Sequence, residues 1–138
     1  MSITNPEAPA HLAGKRSREA AIAGDKEAWL ALFADDAIVE DPIGRSHFDP
    51  DGVGHRGKEA LAKFFDMAIA PSQLEFNFTQ TYQCGDEEAN VGNIVIVAGG
   101  FRVVAEGVFT YRVNDDGKIA ALRAYWELDK ATASARPV

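Results

Sequence analysis

From residue 73 to residue 83 the chain alternates without a break, with Leu74, Phe76, Phe78, Gln80 and Tyr82 on one side and Glu75, Asn77, Thr79 and Thr81 on the other. A period of two is that of an extended strand, whose successive side chains point to opposite faces, so this segment is a half-buried strand. Three more extended runs follow. Residues 89–98 are rich in Val and Ile on both faces, and Gly99-Gly100 supplies a hairpin turn into 101–113. There Phe101, Val103, Ala105, Gly107, Phe109, Tyr111 and Val113 share a face, opposite Arg102, Glu106 and Arg112. Asn114-Asp115-Asp116-Gly117 is the next turn. Residues 118–128 then put Ala120, Leu122, Ala124, Trp126 and Leu128 inward and Arg123, Tyr125 and Glu127 outward. The second half is therefore an antiparallel meander of four strands.

The first half has to cover one face of that sheet. Residues 10–23 are mostly good helix formers, with Leu12, Arg16, Glu19 and Ala20 at helical spacing, and Gly24 stops them. Asp25 suits the N-cap of a second helix running through Phe33, in which Ala28 with Leu32 and Trp29 with Phe33 form i, i+4 pairs. Residues 37–41 read as a short strand that Pro42 ends by removing a ladder donor. Asp35-Asp36 before it read as a helix-end turn. Asp49-Pro50-Asp51-Gly52 makes 44–57 a loop. A third helix over 58–70 carries Leu61, Phe64, Phe65 and Ala68 on one stripe and ends at Pro71. Helices, a short strand and then a meander give an α+β plan, three helices packed on a curved, mainly antiparallel sheet. Gly92, Gly99, Gly100 and Gly107 are where the sheet can bend. A curved sheet closed by helices leaves a cone-shaped cavity, and with an inward face this apolar it suits an apolar ligand.

A chain of 138 residues is one domain, expected over 10–130 with loose termini at 1–9 and 131–138. The net charge of −7 argues against nucleic acid and against an anionic membrane surface, since both are bound through Lys and Arg. One cysteine, Cys84, allows no intramolecular disulfide and is expected as a small half-buried side chain. The first residues lack a basic region followed by an apolar run, and no stretch reaches the roughly 18 apolar residues of a membrane span, so a cytoplasmic location is expected. His11, His47 and His55 have no common metal-site spacing, and no phosphate loop or dinucleotide fingerprint occurs. No cofactor is expected.

The run Ala23-Gly-Asp-Lys-Glu-Ala-Trp-Leu-Ala-Leu-Phe-Ala-Asp-Asp-Ala-Ile-Val-Glu-Asp-Pro-Ile-Gly44 resembles the corresponding stretch of bacterial Δ5-3-ketosteroid isomerases, within the NTF2-like (SnoaL-like) superfamily. The segment from Tyr111 to Ala124 resembles that family's last hairpin. The resemblance implies an NTF2-like cone around an apolar pocket, with Asp41, the aspartate before the proline, as the base that shuttles a proton between C4 and C6 of a 3-oxo steroid. Such chemistry needs a carboxylate beside the α-carbon and an acid group at the dienolate oxygen. In that family a tyrosine and a protonated aspartic acid hold the oxyanion. Here those positions match Ser17 and Phe109, and a further family tyrosine on the third helix matches Phe65. Between Asp41 and Gly57 the loop is about seven residues longer than in typical isomerases, which reshapes the pocket mouth.

Substitute donors by position are Tyr111 and Trp126 on inward faces, Ser17 with its short hydroxyl, and Tyr82 near a strand end. Tyr111 ranks first, because a phenol is the better acid. The expected pocket wall is Val39, Phe65, Phe76, Phe78, Phe101, Phe109, Leu122 and Ala124. Alternation puts Asp41 on one face with Val39 and Ala37, and Glu40 on the other. The expected activity is cofactor-free isomerisation of a 3-oxo steroid or similar apolar ketone. The alternatives are a steroid or lipid carrier that has lost the chemistry, and another NTF2-like activity such as cyclisation or hydration. A homodimer is expected through an outer face bearing Val104, Val108 and Tyr125.

Overall fold

The computed structural model describes residues 3–138. Helix α1 spans Pro9–Ala23, with proline in its first turn where no N–H is needed. It ends at Gly24, whose φ of 70° is the left-handed conformation that glycine adopts without cost. Asp25 caps α2 (Lys26–Ala31), its carboxylate accepting the Ala28 N–H at 3.1 Å.

Here the expected helix is cut short. Phe33 begins a strand, β1 (Phe33–Glu40), that pairs in parallel with β6 (Ile119–Trp126). The Leu32 carbonyl accepts the Ile119 N–H at 2.9 Å, so pairing with a distant strand overrides the local helical preference. Phe33 still packs on Trp29, their ring centroids 4.4 Å apart. Asp35 and Asp36 consequently lie exposed on a strand, in its irregular stretch between Phe33 and Ile38, rather than in a helix-end turn.

A two-residue strand, β2 (His55–Arg56), leads into α3 (Gly57–Phe64), and the last turn before Pro71 widens into a π-helical turn over Phe65–Ile69. The meander is β3 (Gln73–Cys84), β4 (Glu87–Ala98), β5 (Phe101–Val113) and β6, antiparallel throughout, in the sheet order β2-β1-β6-β5-β4-β3. Tyr82 does not follow the alternation seen in the sequence. A bulge between Phe78 and Gln80 shifts the register by one residue, which turns Tyr82 outward to 55% exposure. Cys84, beyond the same bulge, is exposed rather than half-buried.

One row across the meander explains its curvature. Phe78 pairs with Gly92, Gly92 with Gly107, and Gly107 with Trp126. A Cβ on Gly92 would lie 2.0 Å from the Asn77 carbonyl oxygen, and one on Gly107 would lie 1.9 Å from that of Tyr125. The backbones approach so closely along this row only because two side chains are missing.

The tail past Lys130 was expected to be loose, yet it carries regular structure. Helix α4 (Leu128–Ala133) folds back, Ser134 accepts the Val104 N–H at 2.9 Å, and β7 (Arg136–Pro137) pairs with the start of β5. At the other end, Asn5 and Gln83 exchange two hydrogen bonds of 2.8 Å. The main core lies between the sheet and α1, α2 and α3, with Trp29, Phe33, Phe65, Leu61 and Ile119 fully buried at its centre. Truncating such aromatics typically costs about 3 to 5 kcal/mol.

Candidate active site

Between the concave face of the sheet, α1 and the π-helical turn lies a cavity of about 220 Å³ with mostly apolar walls. Asp41 opens into it. The Asp41–Pro42 peptide is cis, and the Ile43 N–H donates to the Ala124 carbonyl at 2.9 Å, which keeps the chain against β6 as it leaves the sheet. At the end of the glycine row, Trp126 donates its indole N–H to Asp41 Oδ1 at 2.7 Å. Burial pushes the Asp41 carboxyl above the ordinary carboxylate range, while the Trp126 hydrogen bond pulls it partly back. The result is a carboxylate held in one orientation, short of solvent, and more basic than an exposed one.

Its neighbour Glu40 faces the other way, as alternation requires. There Arg123 Nε donates to Glu40 Oε1 at 2.9 Å, and the guanidinium stacks over Tyr125 at 5.8 Å.

Three of the four expected donors, Tyr111, Trp126 and Ser17, line the cavity, but they are not equally available. Trp126 already donates to Asp41, and the Ser17 hydroxyl donates to the Gly14 carbonyl at 2.8 Å. The Tyr111 hydroxyl has no hydrogen-bond partner among the described residues. The fourth, Tyr82, is exposed, donates its hydroxyl to Gln80 Oε1 at 3.2 Å and does not line the cavity.

Of the expected wall, Phe76, Phe109 and Leu122 line the cavity. The others stand elsewhere, for separate reasons. Val39 and Ala124 are fully buried in closed core behind the wall, and Phe65 packs against Trp29 at 5.5 Å. Phe78 is covered by Arg18 and packs on Phe76 and Phe109. Phe101 is 49% exposed, because it starts β5 beyond the cover of the helices and pairs there with β7.

Sequence reasoning missed two parts of the lining. Asp49 is buried in the loop after β1, where its carboxylate accepts the N–H groups of Val53 at 3.1 Å and Gly54 at 2.8 Å. That fold of the loop sets Ser46, His47 and Phe48 against the cavity. The second missed residue is Arg18. Gly14, Ser17, Arg18 and Ala21 follow i, i+3, i+4, i+7 on α1, a spacing that shows in the sequence, but a charged residue at that spacing does not advertise itself as inward. The remaining histidines are placed separately: His11 bonds Glu88, and His55 packs on Phe64 at 4.8 Å. No helix among the described residues is long and apolar enough to cross a membrane.

A steroid Δ-isomerase of Nocardioides simplex is 29% identical over 111 residues, covering 80% of this chain and 84% of that protein. The crystal structure of Δ5-3-ketosteroid isomerase from Mycobacterium sp. superimposes with a TM-score of 0.85 at 40% identity, over 95% of this chain and 99% of that one. RV0760c from Mycobacterium tuberculosis, in complex with estradiol-17β-hemisuccinate, gives 0.81 at 44% identity, over 90% and 98% of the two chains. The model of the SnoaL-like domain matches residues 15–122, from within α1 to within β6, and the chain belongs to the SnoaL-like family.

Proposed function

We propose that this protein isomerises a 3-oxo steroid or similar apolar ring ketone without a cofactor, with Asp41 as the proton carrier. The observation that carries this reading is the Asp41–Trp126 pair, a buried carboxylate of raised basicity fixed by an indole N–H and open to an apolar cavity. Asp41 takes the proton from the carbon between the carbonyl and the double bond, and the electron pair moves onto the carbonyl oxygen as a dienolate. The same carboxyl then returns the proton at the far end of the dienolate, which conjugates the enone. Tyr111, whose hydroxyl is uncommitted, donates to the developing oxyanion. The 40% identity to a ketosteroid isomerase over nearly the full length supports the same reading. Incubation of the pure protein with a Δ5-3-ketosteroid tests it by the rise of conjugated-enone absorbance; no rise at micromolar enzyme over hours removes it.

A steroid carrier without turnover is the second reading. It is favoured by Ser17, whose hydroxyl is spent on Gly14, and by Phe109, 3% exposed and apolar where the family places an acid. Tight binding of an aromatic steroid with no enone formed supports the carrier. Pairing of two copies through the outer face, where Val108 is half-buried and Tyr125 is 51% exposed, belongs to either reading. Size-exclusion chromatography showing only monomer rejects that pairing.

A further inference from the structure

Three residues of α1 line the cavity; Ser17 and Ala21 are small and uncharged, and the third is Arg18. Its guanidinium carbon lies 5.1 Å from the ring centroid of Phe78 and 5.5 Å from that of Tyr111. Two aromatic faces hold the cation in place without neutralising it. Nη1 is buried and unpartnered, and the Arg18 side chain makes no hydrogen bond or ion pair among the described residues. Native proteins rarely leave such a donor unmet unless something else meets it.

Tyr111 stands beside it by construction. Its ring lies against α1 at Gly14, where a Cβ would come within 2.9 Å of the ring, so the glycine is what admits the tyrosine. The Tyr111 hydroxyl is likewise uncommitted. The acids within the fold are already engaged. Glu88, in register with Tyr111, is bound by His11 Nδ1 at 3.0 and 3.1 Å and by Gln83 at 3.4 Å. Asp41 is bound by Trp126, and Glu19, next along α1, is exposed. An unpaired cation and an unpaired phenol therefore meet on the wall of an apolar cavity, next to Ser17 on the helix and two residues from Phe109 on the same strand face, the two positions where the resembled isomerases carry their acids.

We propose that Arg18 and Tyr111 form the oxyanion site of this cavity, with the guanidinium and the phenol holding the negative oxygen of an apolar ring enolate. This rests on the enolate chemistry proposed above. The oxyanion site has thus moved by one residue on α1 and by one inward position on β5, and it holds charge with a permanent cation rather than with a neutral carboxylic acid. No additional reactant enters. The electron pair that reaches the oxygen comes from the C–H bond broken by Asp41, and it returns to carbon when that proton is given back.

A fused-ring phenol, 2-naphthol, tests the site without turnover, because its ionised form mimics the enolate and has its own absorbance and fluorescence. In an Asp41→Asn background, which imitates the protonated base, bound 2-naphthol is expected to ionise about one to two pH units below the free compound, as a phenol beside a cation does. Adding Arg18→Met is expected to return that titration to the free value or above it. Should Arg18→Met fail to fold by circular dichroism, Arg18→Gln carries the same expectation. Failure of 2-naphthol to bind, binding only in the neutral form, or ionisation unchanged by loss of Arg18 each overturns the proposal. With the otherwise wild-type chain and a Δ5-3-ketosteroid, Arg18→Met is expected to lower kcat about 100-fold and to leave KM within about threefold, the signature of charge held only in the transition state. If no ketosteroid is turned over while bound 2-naphthol still ionises, the isomerase reading falls and the oxyanion site stands. If turnover is found and survives Arg18→Met, the reverse holds.

Discussion

Glu40 and Asp41 are adjacent carboxylates on opposite faces of one sheet, and the two faces treat them differently. On the outer face Glu40 meets Arg123 at 2.9 Å, a full charge answered by a full charge. On the inner face the one side-chain hydrogen bond to Asp41 among the described residues comes from the indole N–H of Trp126, a dipole, and burial works against its ionisation. The Glu40 carboxylate is committed to its ion pair, whereas the buried Asp41 carboxyl is pushed toward holding a proton. One residue of β-alternation thus separates an ion-paired carboxylate from the one proposed above as the general base.

The largest effect expected from breaking this contrast is on turnover. Asp41→Asn should lower isomerisation about 10²- to 10⁴-fold while Glu40→Gln leaves it within about threefold, as measured by enone absorbance. Equal losses in both variants would show that the faces are not distinct. The same substitution has an opposite effect on stability, and its sign follows from proton linkage. The folded-state pKa of Asp41 is raised, so the folded protein binds more protons than the unfolded chain between the two values. Asp41 therefore destabilises the fold as pH rises through its folded-state pKa, and at neutral pH Asp41→Asn should melt higher than the parent. The difference should vanish in acid below the ordinary carboxylate range. A lower melting temperature at neutral pH would mean that Asp41 is held by more than its hydrogen bond to Trp126.

Gly107→Ala strikes both faces at once, since its Cβ would meet the backbone oxygen of Tyr125 on a strand whose next residue is Trp126. It should cost about 3 kcal/mol in denaturant unfolding, the upper range of overpacking, and depress turnover with it. Trp126→Phe removes the one interaction that favours the ionised form of Asp41. The acid limb of the kcat/KM profile should then move to higher pH, and an unmoved or lowered limb would exclude Trp126 as the group that tunes the base. Smallest of all, Glu40→Gln should change stability by about 0 to 1 kcal/mol, because Arg123 is substantially exposed and the pair is screened by water.

The parts of this molecule that sequence makes legible are those governed by period and punctuation. The four strands of the meander follow from alternation, and the Asp25 cap and the Gly24 stop follow from single residues, while Asp41 is singled out by the resemblance of the run from Ala23 to Gly44 to the ketosteroid isomerases, with alternation giving only the face it lies on. What stayed hidden depends on contacts between distant residues. Phe33 leaves its helix because Ile119 offers a strand to pair with. Tyr82 turns outward because one extra residue after Phe78 inverts the pattern, and no propensity marks that position. The tail past Lys130 looks loose until the backbone groups of β5 that receive it are known. Arg18 is the sharpest case, because its inward position is tolerated only through two aromatic rings that lie 60 and 93 residues further along the chain, at Phe78 and Tyr111.

The row from Phe78 through Gly92 and Gly107 to Trp126 sets the outline of the cavity by omission. Its bend comes from backbone meeting backbone, so the side chains that line the hollow, such as Phe76, Ile96 or Leu122, are spectators to its shape. They can be exchanged to suit a different guest while the hollow itself persists. The two glycines admit no such exchange, and an architecture of this kind separates the part that must stay constant from the part that is free to adapt.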